Sequence, residues 1–272
     1  MNAQDHIDLG SVQETLLLPL WGRAVETKKE KPLLVDNTAV AIIESIPYDF
    51  RVIAHNVSPL SRVSWIARSL YFDEQIKAFI AQYPNATVVN VGCGLDTTFD
   101  RVDNGKLQWI DLDLPDTIAL RKQYIPENER IKCISCSVFD TCWYQNIKPE
   151  EHVMLLIAGV LYYFEEADIK RLWSDVYTFI PGTEIIFDYS STYGTKMANK
   201  QVIDKAGMNQ SAYLKWGIDN ILELEQWDPH IKVIHHMPMF QEYRQYYPMR
   251  KRIGMMIADR LKVMSLAHIK IE

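Results

Sequence analysis

From residue 86 onward the chain alternates short apolar runs with amphipathic stretches, and this rhythm restricts its fold more than any other feature of the 272-residue sequence. The runs at 87–91, 107–112, 130–135, 153–158 and 184–187 have the length of buried strands, and residues 165–180 carry apolar side chains at helical spacing. Strands separated by helices lie parallel, with helices on both faces of the sheet. Two later runs, 231–235 and 263–270, flank a helical span near 240–260 and predict an antiparallel pair at the sheet edge. The expected fold class is therefore α/β, a mostly parallel seven-stranded sheet.

Residues 11–83 read as helical. Ser11 and Glu14 have capping-box spacing, Asp36 precedes an apolar run as an N-cap candidate, and Ser61 opens a longer helix with Val63, Ile66, Ala67, Leu70 and Tyr71 on one face. This predicts an N-terminal helical extension or lid over 1–60 and a main domain over 61–272. Within the latter, the aromatic-rich stretch 190–228 follows the fifth strand and is expected to form a helical lid insertion that covers substrate.

The strand 87–91 runs into Gly92-Cys93-Gly94-Leu95-Asp96-Thr97. Gly92 permits a tight turn, and Gly94 lets a ligand approach the backbone with no Cβ in the way. A turn that binds nothing is the alternative reading of this pair alone. The third glycine of a dinucleotide fingerprint is replaced by Thr97, so a pyrophosphate site is not specified. The next strand ends in Asp111-Leu112-Asp113, acids 17 and 19 residues beyond Gly94, where a carboxylate can accept both ribose hydroxyl protons. Adenosine without pyrophosphate fits both observations, while one of the two acids could instead cap the following helix.

These residues carry a family resemblance. The segment VVNVGCGLDTTFDRVDNGKLQWIDLDLPDTIALR, together with ETLLLPLWGRA from Glu14, Ile66-Ala67-Arg68 and Gly159-Val160-Leu161-Tyr162-Tyr163-Phe164, resembles the leucine carboxyl methyltransferase family. The likeness is greatest to its bacterial branch, typified by tetracenomycin polyketide O-methylation. It spans most of 12–190 and is loose beyond. The resemblance implies a class I methyltransferase (Rossmann-like) fold and S-adenosylmethionine as cofactor. Carried over by position, Arg68 would hold the methionine carboxylate, and Gly92, Gly94 and Asp96 would line the methionyl portion. Asp113 would take the ribose, with Asp111 second, and Ser137 and Val138 would flank the adenine. One position departs from the family: Ala158 stands where its carboxyl methyltransferases place a glutamate.

The resemblance implies an O-methyltransferase acting on a small molecule. A carboxylate acceptor is already ionised at neutral pH and needs no base, whereas a phenol would benefit from one. Asp188 and Tyr189, at the end of the fifth strand, and His235, beside His236, are the candidates for catalysis. Arg23 and Lys28 could neutralise an acidic acceptor, and Tyr193, Tyr213, Trp216 and Trp227 could enclose it or serve as core. The lack of a compelling base favours a carboxylate or other acidic oxygen of a polyketide-like or other metabolite. The alternatives are an NAD(P)-dependent reductase on a Rossmann sheet, disfavoured by the missing glycine and the lack of a Tyr-x-x-x-Lys pair, and a catalytically idle cofactor-binding module.

Composition excludes other classes. Twenty-nine basic against 35 acidic residues give a net charge of −6 and no basic stripe, so nucleic acid is not an expected partner. No apolar run approaches a membrane span, and the polar start is unlike a signal peptide, which predicts a cytoplasmic protein. Cys133 and Cys136 form a lone C-x-x-C without further ligands, read as reduced thiols rather than zinc ligands, so no metal is expected; oligomeric state is left open.

Overall fold

The computed structural model describes residues 11–46, 48–51, 57–148, 152–200 and 213–272. Among the described residues the N-terminal part includes helices α1 (Ser11–Thr27), α2 (Asn37–Ser45) and α3 (Pro59–Gln82). Asp36 caps α2 as expected, its carboxylate accepting the Ala39 N–H at 2.9 Å. The cap of α3 is Ser58 rather than Ser61: Pro59 at the first helical position fixes the start, and Ser61 N–H donates to the Ser58 hydroxyl at 3.0 Å.

The remaining elements are β1 (Thr87–Val91), α4 (Thr98–Val102), β2 (Gln108–Asp113), α5 (Pro115–Tyr124), β3 (Ile131–Ser135), β4 (Val153–Ile157), α6 (Glu166–Phe179), β5 (Thr183–Tyr189), α7 (Thr192–Ala198), α8 (Leu224–Trp227), β6 (Ile231–Pro238), α9 (Met249–Arg260) and β7 (Ser265–Ile271). They build one seven-stranded sheet in the order β3-β2-β1-β4-β5-β7-β6. The first five strands are mutually parallel, and β7 enters antiparallel between β5 and β6. This is the seven-stranded α/β arrangement expected from the alternation. The strand order reverses at β1 and β4, so the crevice beyond their carboxyl ends is where a ligand is expected to sit.

Strand side chains alternate between two cores. Val89, Val91, Leu155, Ile157, Ile185 and Phe187 pack with Leu172, Trp173 and Val176 of α6. Val88, Met154, Leu156, Ile186 and Leu266 face the other way and meet Tyr71, Phe72, Ile76 and Ile80 of α3. A third cluster joins Leu17, Leu20, Trp21 and Ala24 of α1 to Ala39 and Ile42 of α2 and to Leu95. The N-terminal helices are thereby anchored beside the glycine turn. Residues 1–10, part of the expected extension, and 201–212, part of the expected substrate cover, lie outside the described residues.

The Cys136 and Cys142 sulfurs lie side by side across the turn after β3, whereas Cys93 and Cys133 stand apart. Strand β3 ends at Ser135, so Cys136 begins a turn, and the Ser137–Asp140 hydrogen bonds return the chain toward position 142. Cys133 stays within β3, so the C-x-x-C pair is not brought together. Among the described residues no helix is long and apolar enough to cross a membrane.

Candidate active site

The turn after β1 depends on its glycines, whose Cβ positions are taken by neighbouring side chains. Gly92 and Gly94 have φ of +62° and +46°, in the left-handed region that disfavours a side chain. A Cβ on Gly92 would come within 2.5 Å of Val160 Cγ2, and one on Gly94 within 2.9 Å of Leu16 Cδ2 on α1. Gly92 N–H donates to Leu112 O at 2.8 Å, fastening the turn to β2.

Asp113, at the end of β2, faces this turn. Its carboxylate accepts Gly94 N–H at 2.9 Å and Leu114 N–H at 2.7 Å. Burial pushes its pKa above the ordinary carboxylate value, partly offset by those two amides. Asp111 is different, and the expectation that it could serve the ribose is corrected. It is fully buried, paired with Arg121 Nη2 at 2.8 Å, and also accepts from Trp109 Nε1 at 2.9 Å and Asn90 Nδ2 at 3.2 Å. Its place in the strand points it into the protein, where the carboxylate must be neutralised.

Arg121 is a site-building residue that the sequence reading missed. From α5, its Nη1 donates to Gly94 O at 3.0 Å and Asp96 O at 2.8 Å, so one guanidinium clamps the glycine turn to Asp111. The available signal was its helical phase, three and four residues after the buried Ile118 and Thr117.

Asp96 accepts Thr98 N–H at 3.0 Å and lies 3.7 Å from Arg23 Nη2. Burial alone would raise its pKa, but Arg23 and Arg101 hold it below the ordinary value. Arg23 is therefore not an open acceptor-binding cation, which corrects that expectation. It is buried, with Nε 2.8 Å from Asp36 Oδ2, and the same oxygen takes Arg101 Nη1 at 2.8 Å and Thr97 Oγ1 at 2.5 Å. Arg101 also pairs with Asp73 of α3. This knot ties α1, α2 and α3 to the turn. Lys28 lies on the exterior, paired with Glu44.

At the neighbouring strand ends, Arg68 of α3 meets Asp188 of β5, Nη1 to Oδ2 at 2.9 Å, while Asp188 Oδ1 accepts Gly159 N–H at 2.6 Å. Gly159 has φ +78°, and a Cβ there would fall 2.9 Å from Arg68 Nη1 and 3.2 Å from the Tyr162 hydroxyl. Burial and the Asp188 charge push the Tyr162 phenol far above its ordinary value. Ala158 is half-buried at the end of β4. Ser137 and the buried Val138 lie in the turn after β3, where Ser137 N–H donates to Asp140 Oδ2 at 3.0 Å.

Several candidates are not brought to this edge. Tyr189 is buried, packed against Phe187 at 6.2 Å between ring centroids. Trp216 is buried in the core, 6.3 Å from Trp227, so it is not an exposed substrate wall. His235 pairs with His268 within β6, three residues before its end, with Nδ1 3.3 Å from the Tyr71 hydroxyl. Tyr193 at the start of α7 is 46% exposed and remains available.

The turn suits an adenosyl thioether. Two side-chain-free positions form the cradle, a carboxylate stands at its β2 side and a guanidinium at its β4–β5 side. The fold and site define an S-adenosylmethionine-dependent methyltransferase, and similarity to known proteins supports this. The leucine carboxyl methyltransferase profile matches residues 17–177, more than half of the chain. The tetracenomycin polyketide synthesis O-methyltransferase TcmP of Streptomyces glaucescens is 31% identical over 227 residues, 83% of this chain and 82% of that protein. The S-adenosyl-L-methionine-dependent methyltransferase dpfgK of Gibberella zeae is 25% identical over 256 residues, 87% of this chain and 85% of its own length. The crystal structure of a DUF574 family protein from Streptomyces avermitilis shares the fold with a TM-score of 0.59 and 9% identity, covering 95% of this chain and 97% of that one. The chain belongs to the leucine carboxyl methyltransferase family.

Proposed function

We propose that this methyltransferase acts on oxygen, methylating a carboxylate or other acidic oxygen of a small-molecule acceptor. The observation that carries this reading is the state of the polar groups at the strand ends. Asp188 has both oxygens engaged, and Tyr162 is held protonated. Among the described residues the expected imidazole, His235, stands within β6 rather than at its end. An acceptor that arrives ionised needs no proton removed. The printed name of the Streptomyces glaucescens relative, a polyketide O-methyltransferase, supports oxygen as the target atom.

In this reading Arg68 takes the cofactor carboxylate, Gly92, Gly94 and Asp96 line the methionyl chain, Asp113 accepts the ribose hydroxyls, and Ser137 and Val138 border the adenine. Bound there, S-adenosylmethionine supplies a methyl group whose leaving group is a neutral thioether. The protein's part is alignment and exclusion of water. Helices α1 and α2 serve as the extension beside the site, with Tyr193 on the acceptor side and a cytoplasmic setting.

The test uses S-adenosylmethionine labelled in its methyl group and a panel of carboxylic acids and phenols. The expected product is a methyl ester, which releases labelled methanol in mild alkali. Alkali-stable label on the phenols, with none on the carboxylic acids, would contradict the acidic-oxygen reading. Cofactor binding without transfer to any member would favour an idle binding module, a reading that Ala158 makes specific.

A further inference from the structure

We propose that Asp188 is a positioning residue for the amino-acid end of the cofactor, acting through Arg68. This rests on the placement of Arg68 at the cofactor carboxylate given above. Asp188 is fully buried at the end of β5. A buried carboxylate is costly unless paired and hydrogen-bonded, and both of its oxygens are used: one by Arg68 Nη1 at 2.9 Å, the other by Gly159 N–H at 2.6 Å. A carboxylate so committed is not placed to remove a proton from an acceptor.

Strand register explains how it reaches both partners. Phe187 pairs with Ile157, so Asp188 emerges beside Ala158, the first residue past β4. The small side chain at 158 leaves that place to the carboxylate arriving from β5. Asp188 thereby joins α3, the loop after β4 and the end of β5 at one point. An arginine side chain has many rotamers to lose on binding. Here one nitrogen is fixed in advance, and the Gly159 backbone packs against the guanidinium where a Cβ would stand only 2.9 Å away. Arg68 has five N–H donors; Asp188 takes one and the Tyr162 hydroxyl is a second partner, so the guanidinium has donors to spare for a second carboxylate. The Asp188 charge offsets that of Arg68, which matches the pocket to a ligand end carrying both a carboxylate and an ammonium.

The test compares two ligands on the intact protein by calorimetry: S-adenosylhomocysteine, and 5′-methylthioadenosine, which keeps the nucleoside and thioether but lacks the amino-acid end. For Asp188→Asn the expected result is a loss of about 10–100-fold for S-adenosylhomocysteine, with methylthioadenosine changed by less than about twofold. Arg68→Lys should give the same selective loss, and the double variant little more than either single one, because the two act as a unit. In turnover, KM for the methyl donor should rise more than kcat falls. Equal weakening of both ligands would mean a merely structural role and overturn the proposal. So would unchanged S-adenosylhomocysteine affinity with a collapsed kcat, the signature of a base. If Asp188→Asn loses its thermal unfolding transition, Arg68→Lys carries the same two-ligand comparison. A wild-type protein that binds neither ligand would instead refute the cofactor site on which the proposal stands.

Discussion

Asp113 and Asp111 differ by two positions in sequence and by everything in chemistry. Both point to the same side of β2, but only Asp113 lies past the last buried residue, against the glycine turn. Its pKa is raised by burial, so it takes up a proton at a higher pH than an ordinary carboxylate. Only the ionised form accepts both ribose hydroxyl protons. Acidification should therefore weaken S-adenosylhomocysteine binding, starting above the usual carboxylate range, and Asp113→Asn should be weaker by about 10–100-fold and lose that pH dependence. Calorimetric titrations between neutral and mildly acidic pH check both. An undiminished pH dependence in the variant would place the titrating group elsewhere. Gly92 makes a separate prediction. Alanine there must hold φ near +62° with Cβ at 2.5 Å from Val160 Cγ2, which should cost about 1–3 kcal/mol in a denaturant titration.

At the scale of elements, helices α1, α2 and α3 are attached to the sheet by charge as well as by apolar packing. Asp36 is buried at the centre, receiving Arg23, Arg101 and Thr97 on one oxygen and capping α2 with the other. Asp36→Ala leaves two buried guanidinium groups without this partner and removes the cap. The expected destabilisation is about 3–5 kcal/mol, read as a lowered midpoint in chemical denaturation. Arg23→Lys should cost less but loosen α1 over Gly94, visible as faster amide exchange in residues 16–24. This network was not legible from sequence. Arg23 and Asp36 looked like a ligand cation and a plain helix cap, because their pairing depends on how α1, α2 and the β1 turn pack together. The strands, by contrast, were readable to within a few residues, since apolar alternation is imposed by the two cores themselves. Ser58 displaced Ser61 as the α3 cap because Pro59 is better placed at the first turn than in the helix interior.

For the whole molecule, the order β3-β2-β1-β4-β5-β7-β6 puts every candidate cofactor contact on one carboxyl edge, supplied by α3, the β1 turn, β2, the β3 turn and β5. Sequence motifs located the half around β1 and β2, where glycines and acids follow strands at short range. They did not locate the Arg68–Asp188 pair as a unit, because its members are 120 positions apart and meet only when α3 crosses the sheet. The sequence left Trp216 and Tyr189 open for a related reason: aromatic residues near a strand end can turn inward as easily as outward, and here the core takes them. The central claim is a single cofactor seat spanning that edge. A crystal structure of the complex with S-adenosylhomocysteine tests it most directly. The account predicts ribose hydroxyls on Asp113, the thioether over Gly92 and Gly94, and the amino-acid carboxylate on Arg68. Ribose bound away from Asp113, or the ligand lodged outside the β1 turn, would contradict it.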